Sequence, residues 1–316
     1  MWTEKYRPLR LDDIIGQEAI VDRLKAFVAA EESEDMPHFL FAGPPGVGKT
    51  TAALALGREI LGKTFTHNFL ELNTSDERGI ATIRERVKEY ARLLPTGNVP
   101  FRMILLDESD HLTSAAQHAF RRTMESFPRC RFILSCNYSS SIITPIQSRC
   151  AIFRFRPIKT ESMEEFIRKM AQKEALEVDE NGLKAIIDVA DGDLRRLLNA
   201  LQASAAVASE ITETVVYEVT ARARPQEIEE LITICIGDKD FQEARKKLRD
   251  LLYKHGLSGQ DVIKQLYSVS LATDLDEGAK VELLRKIGII DARLTQGANA
   301  EIQLAALLAE MVSLGS

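Results

Sequence analysis

Several features common in other protein classes are scarce or missing in this 316-residue sequence. It has four cysteines, Cys130, Cys136, Cys150 and Cys235, and no two of them form a CxxC pair. This spacing disfavours a zinc site and leaves reduced, mostly buried thiols as the simpler interpretation. No apolar run approaches the length of a membrane span, and the N-terminal residues lack the pattern of a signal peptide. We therefore expect no membrane association and an intracellular, cytoplasmic location.

The sequence also lacks an excess of basic residues. Its 41 Lys and Arg residues face 47 Asp and Glu residues, which gives a net charge of −6. This balance argues against a protein that coats nucleic acid nonspecifically. It leaves room for a local basic surface, because binding to a phosphate backbone depends on where the Lys and Arg residues lie. The 45% hydrophobic and 28% charged residues are typical of a globular protein, and the length suffices for two or three domains.

The most informative segment is a phosphate-binding loop. An apolar run at 38–42 precedes it and an Ala- and Leu-rich helical pattern follows, which is the strand–loop–helix context that this motif requires. Glycines allow backbone N–H groups to point at phosphate oxygens, and the helix N-terminus adds a partial positive charge. We predict that Lys49 reaches the β- and γ-phosphates of ATP and that the Thr50 hydroxyl binds Mg²⁺. The alternative is a Gly/Pro turn capped by a lysine. The nucleotide-binding residues predicted from the loop are Gly43, Pro44, Pro45, Gly46, Val47, Gly48, Lys49, Thr50 and Thr51.

Short apolar runs alternate with helical patterns from residue 38 to residue 156. Because these runs are almost continuously apolar, the alternation indicates a parallel sheet that is covered by helices on both faces. The predicted strands are 38–42, 68–72, 102–106, 131–135 and 151–155, and the predicted helices between them are 51–61, 80–93 and 114–127.

After Pro157 no strand-like run follows, and Ala, Leu, Ile, Glu and Lys recur at helical spacing. The segment 220–225 breaks this pattern and is a predicted linker. We predict an α/β nucleotide-binding domain at 1–157, a small helical domain at 158–222 and an all-helical domain at 223–316. The predicted helices of this part are 161–175, 181–190, 194–208, 225–236, 241–253, 259–273, 277–290 and 299–312.

Polar side chains follow two of the predicted strands. The apolar run at 102–106 ends in Asp107 and Glu108, and in a parallel sheet the ligand lies beyond the carboxyl ends of the strands. Asp107 can hold Mg²⁺, directly or through water, and Glu108 can polarise the attacking water. Asn137 follows the next apolar run, where it would face the γ-phosphate and orient water. An acidic turn or an Asn that caps a strand end is common in itself, and the phosphate-binding loop favours the functional interpretation.

A series of motifs resembles, in order, those of replication factor C small subunits, which are AAA+ clamp-loader ATPases. The motifs are WTEKYRP at 2–8, IIGQ at 14–17, ELNTSDERGI at 71–80, SCNY at 135–138, PIQSRC at 145–150 and GDLRR at 192–196. The resemblance extends over residues 2–200 and is of the archaeal type. It implies an α/β AAA+ P-loop NTPase domain, a small helical lid and an all-α C-terminal collar domain that forms oligomers.

The resemblance also implies roles that spacing alone does not assign. Asn137 matches the sensor-1 position, Arg195 matches sensor 2, and Arg149 matches an arginine finger that acts in trans on the neighbouring subunit's site. A guanidinium suits these roles because it is always charged and can fork onto phosphate oxygens. Without the resemblance, Arg149 reads as a surface or ion-pair arginine. The residues implied for the adenine side of the nucleotide site are Tyr6, Arg7, Pro8 and Ile15.

One motif departs from the family pattern. The acidic box of the family usually reads Asp-Glu-Ala-Asp, whereas this chain has Asp107, Glu108, Ser109 and Asp110. Both leading acids remain, so hydrolysis is still expected, while Ser109 can change the hydrogen bonding of the turn. We interpret Asp110 as a helix N-cap.

The helical pattern that starts at residue 80 carries a basic ridge of Arg84, Lys88 and Arg92, spaced four residues apart. Glutamates run beside the ridge, so a solvated, salt-bridged face is the alternative. In clamp loaders the corresponding helices surround the duplex, so the resemblance implies contact with DNA phosphates. The segment 90–95 at the end of this helix can present an apolar edge to a sliding clamp, although core packing is the simpler interpretation of Leu93.

The sequence and the resemblance together predict the small subunit of a clamp-loader ATPase with ATP and Mg²⁺ as cofactors. The predicted partners are the large subunit, other copies of this chain, the ring-shaped sliding clamp (PCNA) and primer–template DNA, in the cytoplasm of an archaeal cell and at its nucleoid. One alternative is another AAA+ DNA motor or loader, which would lack the motifs at 2–8 and 148–150. The other is a nucleotide-binding scaffold without turnover, which the complete set of catalytic residues disfavours. The predicted catalytic residues are Lys49, Glu108, Asn137, Arg195 and, in trans, Arg149.

Overall fold

A computed structural model describes residues 1–29, 36–75, 80–254 and 256–314, with the backbone alone for residues 80–84 and 254. The chain divides into two units. The first comprises Met1–Glu177 and Ile186–Gln202, and the second comprises Val178–Ala185 and Ala203–Ser316. The predicted boundaries at residues 157 and 222 remain predictions.

Five parallel strands form the sheet of the first unit, in the order β2-β3-β4-β1-β5. Phe39 in the central strand β1 lies opposite Ile133 of β4 and Ala151 of β5. All five predicted strands are confirmed, with ends that shift by at most one residue. The strands are β1 His38–Ala42, β2 Phe69–Asn73, β3 Arg102–Asp107, β4 Cys130–Cys136 and β5 Cys150–Arg154.

Helices cover both faces of this sheet, as the apolar strands predict. Alternate residues of a strand point to opposite faces. Phe39 and Phe41 accordingly belong to the core that includes α1 and α2, whereas Leu40 and Leu106 belong to the core that includes α3 and α4. Helix α1 was not predicted from the sequence, although it is amphipathic and buries its apolar face. These helices are α1 Glu18–Ala29, α2 Lys49–Leu61, α3 Ile80–Arg92 and α4 Ser114–Ser126.

The remainder of the chain is helical, with one exception. Two strands of two residues each, β6 Glu177–Val178 and β7 Glu210–Ile211, pair with each other. The expectation that no strand follows Pro157 is therefore wrong, because strands this short leave no apolar periodicity to detect. Helix α8 was also not predicted. It ends at Val219, directly before the segment 220–225 that was predicted as a linker. The helices are α5 Thr160–Glu174, α6 Glu180–Ala190, α7 Leu194–Val207, α8 Glu213–Val219, α9 Pro225–Ile236, α10 Phe241–Lys254, α11 Gly259–Ala272, α12 Glu277–Thr295 and α13 Ala300–Leu314.

The second unit has a separate core. Helices α9 to α13 contribute its buried apolar side chains, which include Leu231, Leu248, Leu266, Leu283 and Leu307. Across the described ranges of the chain, no helix combines the length and the apolar character needed to cross a membrane.

The four cysteines are free thiols, three of them buried and Cys150 partly buried. Burial raises the pKa of Cys136 to about 11 and the pKa of each of the other three to about 12. Thiolate is the reactive form, so we expect slow alkylation of the native protein at pH 8 and rapid alkylation in denaturant. Timed alkylation followed by intact-mass spectrometry measures this difference. Modification of all four thiols within minutes under native conditions would contradict it.

Candidate active site

A cavity of about 670 Å³ opens beyond the carboxyl ends of β1, β3 and β4. Most of the sequence-predicted site residues meet there. Gly43, Pro44 and Arg149 lie outside the lining, although all three belong to the described part of the chain. The predicted residues that line the cavity are Tyr6, Arg7, Pro8, Ile15, Pro45, Gly46, Val47, Gly48, Lys49, Thr50, Thr51, Asp107, Glu108, Asn137 and Arg195.

The phosphate-binding loop ends at Gly48, which precedes α2 with a φ of 95°. Residues with a side chain rarely adopt this left-handed conformation, so glycine is required for the chain to enter the helix here. The first residue of the helix is Lys49, which is 8% exposed. Its ammonium group donates to the carbonyl oxygens of Gly43 and Pro44, both at 2.7 Å, and to Asn137 Oδ1 at 3.1 Å. Gly43 and Pro44 therefore act through their backbone carbonyls, which fix the position of the Lys49 ammonium group.

Burial lowers the pKa of Lys49, and the negative charge of Asp107 opposes this shift. The lysine thus occupies a site where its positive charge has lost much of its hydration. A charge in such an environment interacts more strongly with an anion than it would in water. This favours a triphosphate as the partner of the Lys49 ammonium group.

Thr50 and Asp107 are adjacent although they are 57 residues apart in the sequence. The Thr50 hydroxyl donates to Asp107 Oδ2 at 2.7 Å. A hydroxyl and a carboxylate are hard oxygen ligands of the kind that Mg²⁺ prefers beside phosphates. The two residues predicted to hold Mg²⁺ are therefore close enough to serve one ion.

Glu108 has a left-handed backbone, with φ 54° and ψ 37°, which is uncommon for a residue with a side chain. Thr74 supports this turn because its hydroxyl donates to the Glu108 carbonyl at 2.6 Å and its N–H donates to the Asp107 carbonyl at 3.1 Å. Ser109 is fully buried, and its hydroxyl donates to the Leu106 carbonyl at 2.8 Å. The alanine usual at this position of the family cannot make that bond.

Asp110 has a different role from the one expected. Its Oδ2 accepts the backbone N–H of Asn137 at 3.1 Å, and the N-cap of α4 is Thr113. The interpretation of Asp110 as a helix N-cap is therefore wrong. Its Oδ1 is buried without a hydrogen-bond partner in the described structure. Asp110 also lines the cavity and fixes the backbone of Asn137 beside Lys49.

The N-terminal motif contacts residues of α5 and α7 that belong to the same unit. The Tyr6 hydroxyl donates to the Glu174 carboxylate at the end of α5, and the backbone N–H of Trp2 donates to Gln202 Oε1 of α7 at 2.9 Å. The Lys173 ammonium lies 5.5 Å from the centre of the Tyr6 ring. Sequence reasoning missed several apolar side chains that line the cavity. Phe166, Met170 and Leu198 are among them, and they look like ordinary core positions of amphipathic helices in the sequence.

Arg195 lines the cavity, as expected, whereas Arg149 lies elsewhere on the surface. Arg149 donates to the Pro145 carbonyl at 2.7 Å and to the Glu125 carboxylate at 2.5 Å. Its side chain is one-third exposed. This geometry fits the ion-pair interpretation within a single chain and leaves the in-trans role as a prediction.

The expected DNA and clamp surfaces are partly described. In the basic ridge on α3, Lys88 is half-buried and Arg92 is exposed, while the side chain of Arg84 lies outside the described residues, as do residues 76–79 of the motif at 71–80. Beyond the helix end, Leu93 is 54% and Leu94 is 67% exposed. The core-packing interpretation of Leu93 is therefore wrong, because the helix ends at Arg92 and the next two side chains face outward.

Two family models match the chain. Residues 39–158 match the ATPase family associated with various cellular activities (AAA), and residues 223–310 match the replication factor C C-terminal domain. Among solved structures, the Holliday junction branch migration motor RuvB of Thermotoga maritima is similar, with a TM-score of 0.58, 19% identity and coverage of 88% of this chain and 98% of that one. At this identity the likeness shows the fold alone.

Curated relatives match over nearly the full length. The replication factor C small subunit of Methanococcus vannielii is 51% identical over 98% of this chain and 98% of the relative. The replication factor C small subunit of Archaeoglobus fulgidus is 47% identical over 99% of this chain and 98% of the relative. These matches confirm the predicted α/β AAA+ domain followed by an all-helical C-terminal domain, and the chain belongs to the replication factor C small subunits.

Proposed function

We propose that this chain is the small subunit of a clamp loader, which uses ATP binding and hydrolysis to open a ring-shaped sliding clamp and load it onto primer–template DNA. One observation carries the proposal. Lys49, Thr50, Asp107, Glu108 and Asn137 come together in a single cavity of a chain that belongs to the replication factor C small subunits. The partners are the large subunit, further copies of this chain, PCNA and DNA, in the archaeal cytoplasm and at the nucleoid.

Each side chain has a distinct task in hydrolysis. The loop N–H groups and Lys49 bind the phosphates, while Tyr6, Arg7, Pro8 and Ile15 form the adenine side. Thr50 and Asp107 would hold Mg²⁺, which neutralises charge on the phosphate oxygens. Glu108 accepts the proton of the attacking water, and Asn137 orients this water beside the γ-phosphate. Arg195 contacts the γ-phosphate from α7, and Arg149 of the neighbouring copy stabilises the transferred charge.

The metal assignment predicts a specific change in magnesium dependence. Asp107→Asn removes the charged ligand, so half-maximal hydrolysis is expected to require at least about tenfold more Mg²⁺. EDTA is expected to abolish hydrolysis by the unmodified protein. A magnesium titration of phosphate release measures both effects. The matched control is Asp12→Asn, an exposed acid that pairs with Lys25. An unchanged titration curve for Asp107→Asn would show that this carboxylate does not serve the metal.

The exposed Leu93 and Leu94 provide an apolar contact for the clamp. The double variant Leu93→Ser, Leu94→Ser is expected to reduce capture of PCNA by the assembled loader at least about tenfold in the presence of ATPγS, since two apolar side chains leave the interface. Pull-down on immobilised clamp measures this loss. Val207→Ser, which alters a residue that is 69% exposed, is the control. Equal capture by both variants would remove this edge from the clamp contact.

The activity itself is tested by assembly. The chain, purified with the large subunit, is expected to release phosphate faster when clamp and primed DNA are both added. Binding of the basic ridge to DNA phosphates is expected to weaken with salt. Steady-state phosphate release and gel filtration distinguish the alternatives. A homohexamer that is stimulated by DNA without a clamp favours another AAA+ motor, and nucleotide binding without any turnover favours a scaffold.

A further inference from the structure

The phosphate-binding loop is bonded directly to the first turn of α7. The Leu194 N–H donates to the Gly46 carbonyl at 3.1 Å. Gly46 has a φ of 69°, and a Cβ atom built there would lie 1.6 Å from Asp193 Oδ1. The Asp193 carboxylate therefore fills the space that a side chain at position 46 would need. The loop glycine thus contacts both the backbone and the capping side chain of the helix start.

Asp193 is 9% exposed and organises the helix that carries Arg195. Its Oδ1 accepts the backbone N–H of Arg195 at 2.8 Å and of Arg196 at 3.0 Å. These N–H groups belong to the first turn of the helix, where intrahelical partners are missing. One carboxylate oxygen thereby fixes the peptide that carries the Arg195 side chain.

Asp193 lies behind the cavity wall. Gly46, Leu194 and Arg195 line the cavity, and Asp193 is absent from its lining in the described structure. The carboxylate is therefore placed to act through its neighbours rather than on a phosphate.

We propose that Asp193 is a positioning residue that holds Arg195 toward the γ-phosphate by fixing the start of α7 against Gly46. The inference rests on the proposed ATPase function and assigns this side chain a task within it. The loop is linked to the helix start by the hydrogen bond from the Leu194 N–H to the Gly46 carbonyl, and Asp193 bonds the backbone N–H of Arg195. An ordinary helix cap would stabilise the fold without affecting which nucleotide is preferred.

The preference of the full-length chain for ATPγS over ADP provides the test, measured as a ratio of affinities by isothermal titration calorimetry. Arg195→Ala is expected to lower this ratio about tenfold, because the γ-phosphate loses a charge-assisted hydrogen bond. Asp193→Ala is expected to lower it to a similar degree, and the double variant is expected to go no lower than Arg195→Ala. Asp193→Asn is expected to retain the ratio, since its amide oxygen can accept the same two N–H groups. If Asp193→Ala does not fold, Asp193→Gly replaces it in this test. Glycine also removes the carboxylate, and it destabilises a helix N-terminus less than alanine does.

A matched control separates positioning from simple capping. Asp276 caps α12 and accepts the N–H groups of Gly278 and Ala279 at 3.0 and 3.3 Å. Asp276→Ala and Asp193→Ala are each expected to lower the melting temperature by a few degrees, but Asp276→Ala is expected to leave the affinity ratio unchanged.

The outcomes separate the two assignments. If Asp193→Ala retains the ratio, or if its loss adds to that of Arg195→Ala, the positioning role is overturned while the ATP site stands. If Arg195→Ala itself retains the ratio, the assignment of Arg195 to the γ-phosphate fails and the positioning role falls with it. Failure of the proposed function as a whole appears separately, as absence of phosphate release by the unmodified assembly.

Discussion

Replacement of Arg149 by alanine is expected to leave ATP binding nearly intact and to abolish DNA-stimulated hydrolysis by the assembled loader. Arg149 does not line the cavity of its own chain, so the binding residues of that chain are undisturbed. Arginine fingers stabilise charge that develops in the transition state, and their loss typically costs a factor of 10³ or more. Nucleotide affinity and steady-state phosphate release with primed DNA and clamp measure the two properties.

A control is needed because Arg149 also forms an exposed ion pair with Glu125. Arg285 forms a comparable exposed pair with Glu282, in the second unit. Surface pairs of this kind contribute about 0–1 kcal/mol to stability. Arg285→Ala is therefore expected to retain stimulated hydrolysis. If Arg149→Ala also retains it, the surface ion-pair interpretation is sufficient and the in-trans role is refuted.

Glu108→Gln is expected to reduce hydrolysis by roughly 10²–10⁴-fold while ATP still binds. Glutamine preserves the size of the side chain but cannot accept a proton from the attacking water. The turn is expected to persist, because Thr74 and Ser109 hold it through backbone carbonyls rather than through the Glu108 carboxylate. Single-turnover hydrolysis and equilibrium ATP binding provide the readouts.

Lys49→Ala is the informative comparison for this variant. The ammonium group of Lys49 is expected to contact the phosphates themselves, so its loss is expected to weaken ATP binding as well as hydrolysis. If Glu108→Gln and Lys49→Ala weaken ATP binding and hydrolysis to the same extent, Glu108 and Lys49 do not have separate roles. Hydrolysis by Glu108→Gln within tenfold of the unmodified protein would assign the water-activating role to another group.

The strands of the sheet and the residues at the centre of the site could be predicted from the sequence because short contiguous segments specify them. The runs at β1, β3 and β4 are mostly apolar, polar residues follow β3 and β4, and the phosphate-binding loop follows β1. Parallel strands bring their carboxyl ends to one edge, which is how Thr50 and Asp107 come within hydrogen-bond distance. The loop motif indicated the phosphate chemistry, the position after the apolar run at 131–135 indicated Asn137, and the resemblance implied the role of Arg195.

The parts that sequence reasoning missed depend on contacts between distant residues. Asp110 bonds the backbone of Asn137 across 27 positions, and no periodic pattern marks such a pair. Asp193 touches Gly46 only because α7 packs against the loop. Phe166 and Met170 have the spacing of core residues, and the folded chain alone shows that they line the cavity. The two-residue strands β6 and β7 are too short to leave a pattern.

The most direct test of shared sites is complementation between two inactive variants. Lys49→Ala is expected to keep a functional Arg149 without a working phosphate site, and Arg149→Ala is expected to keep the site without the finger. Each variant alone, assembled with the large subunit, is expected to lack stimulated hydrolysis. Assemblies that contain both variants are expected to regain part of it, because some sites then combine an intact loop with an arginine from the neighbouring copy. Mixed assemblies as inactive as the separate ones would mean that adjacent copies do not build the site together.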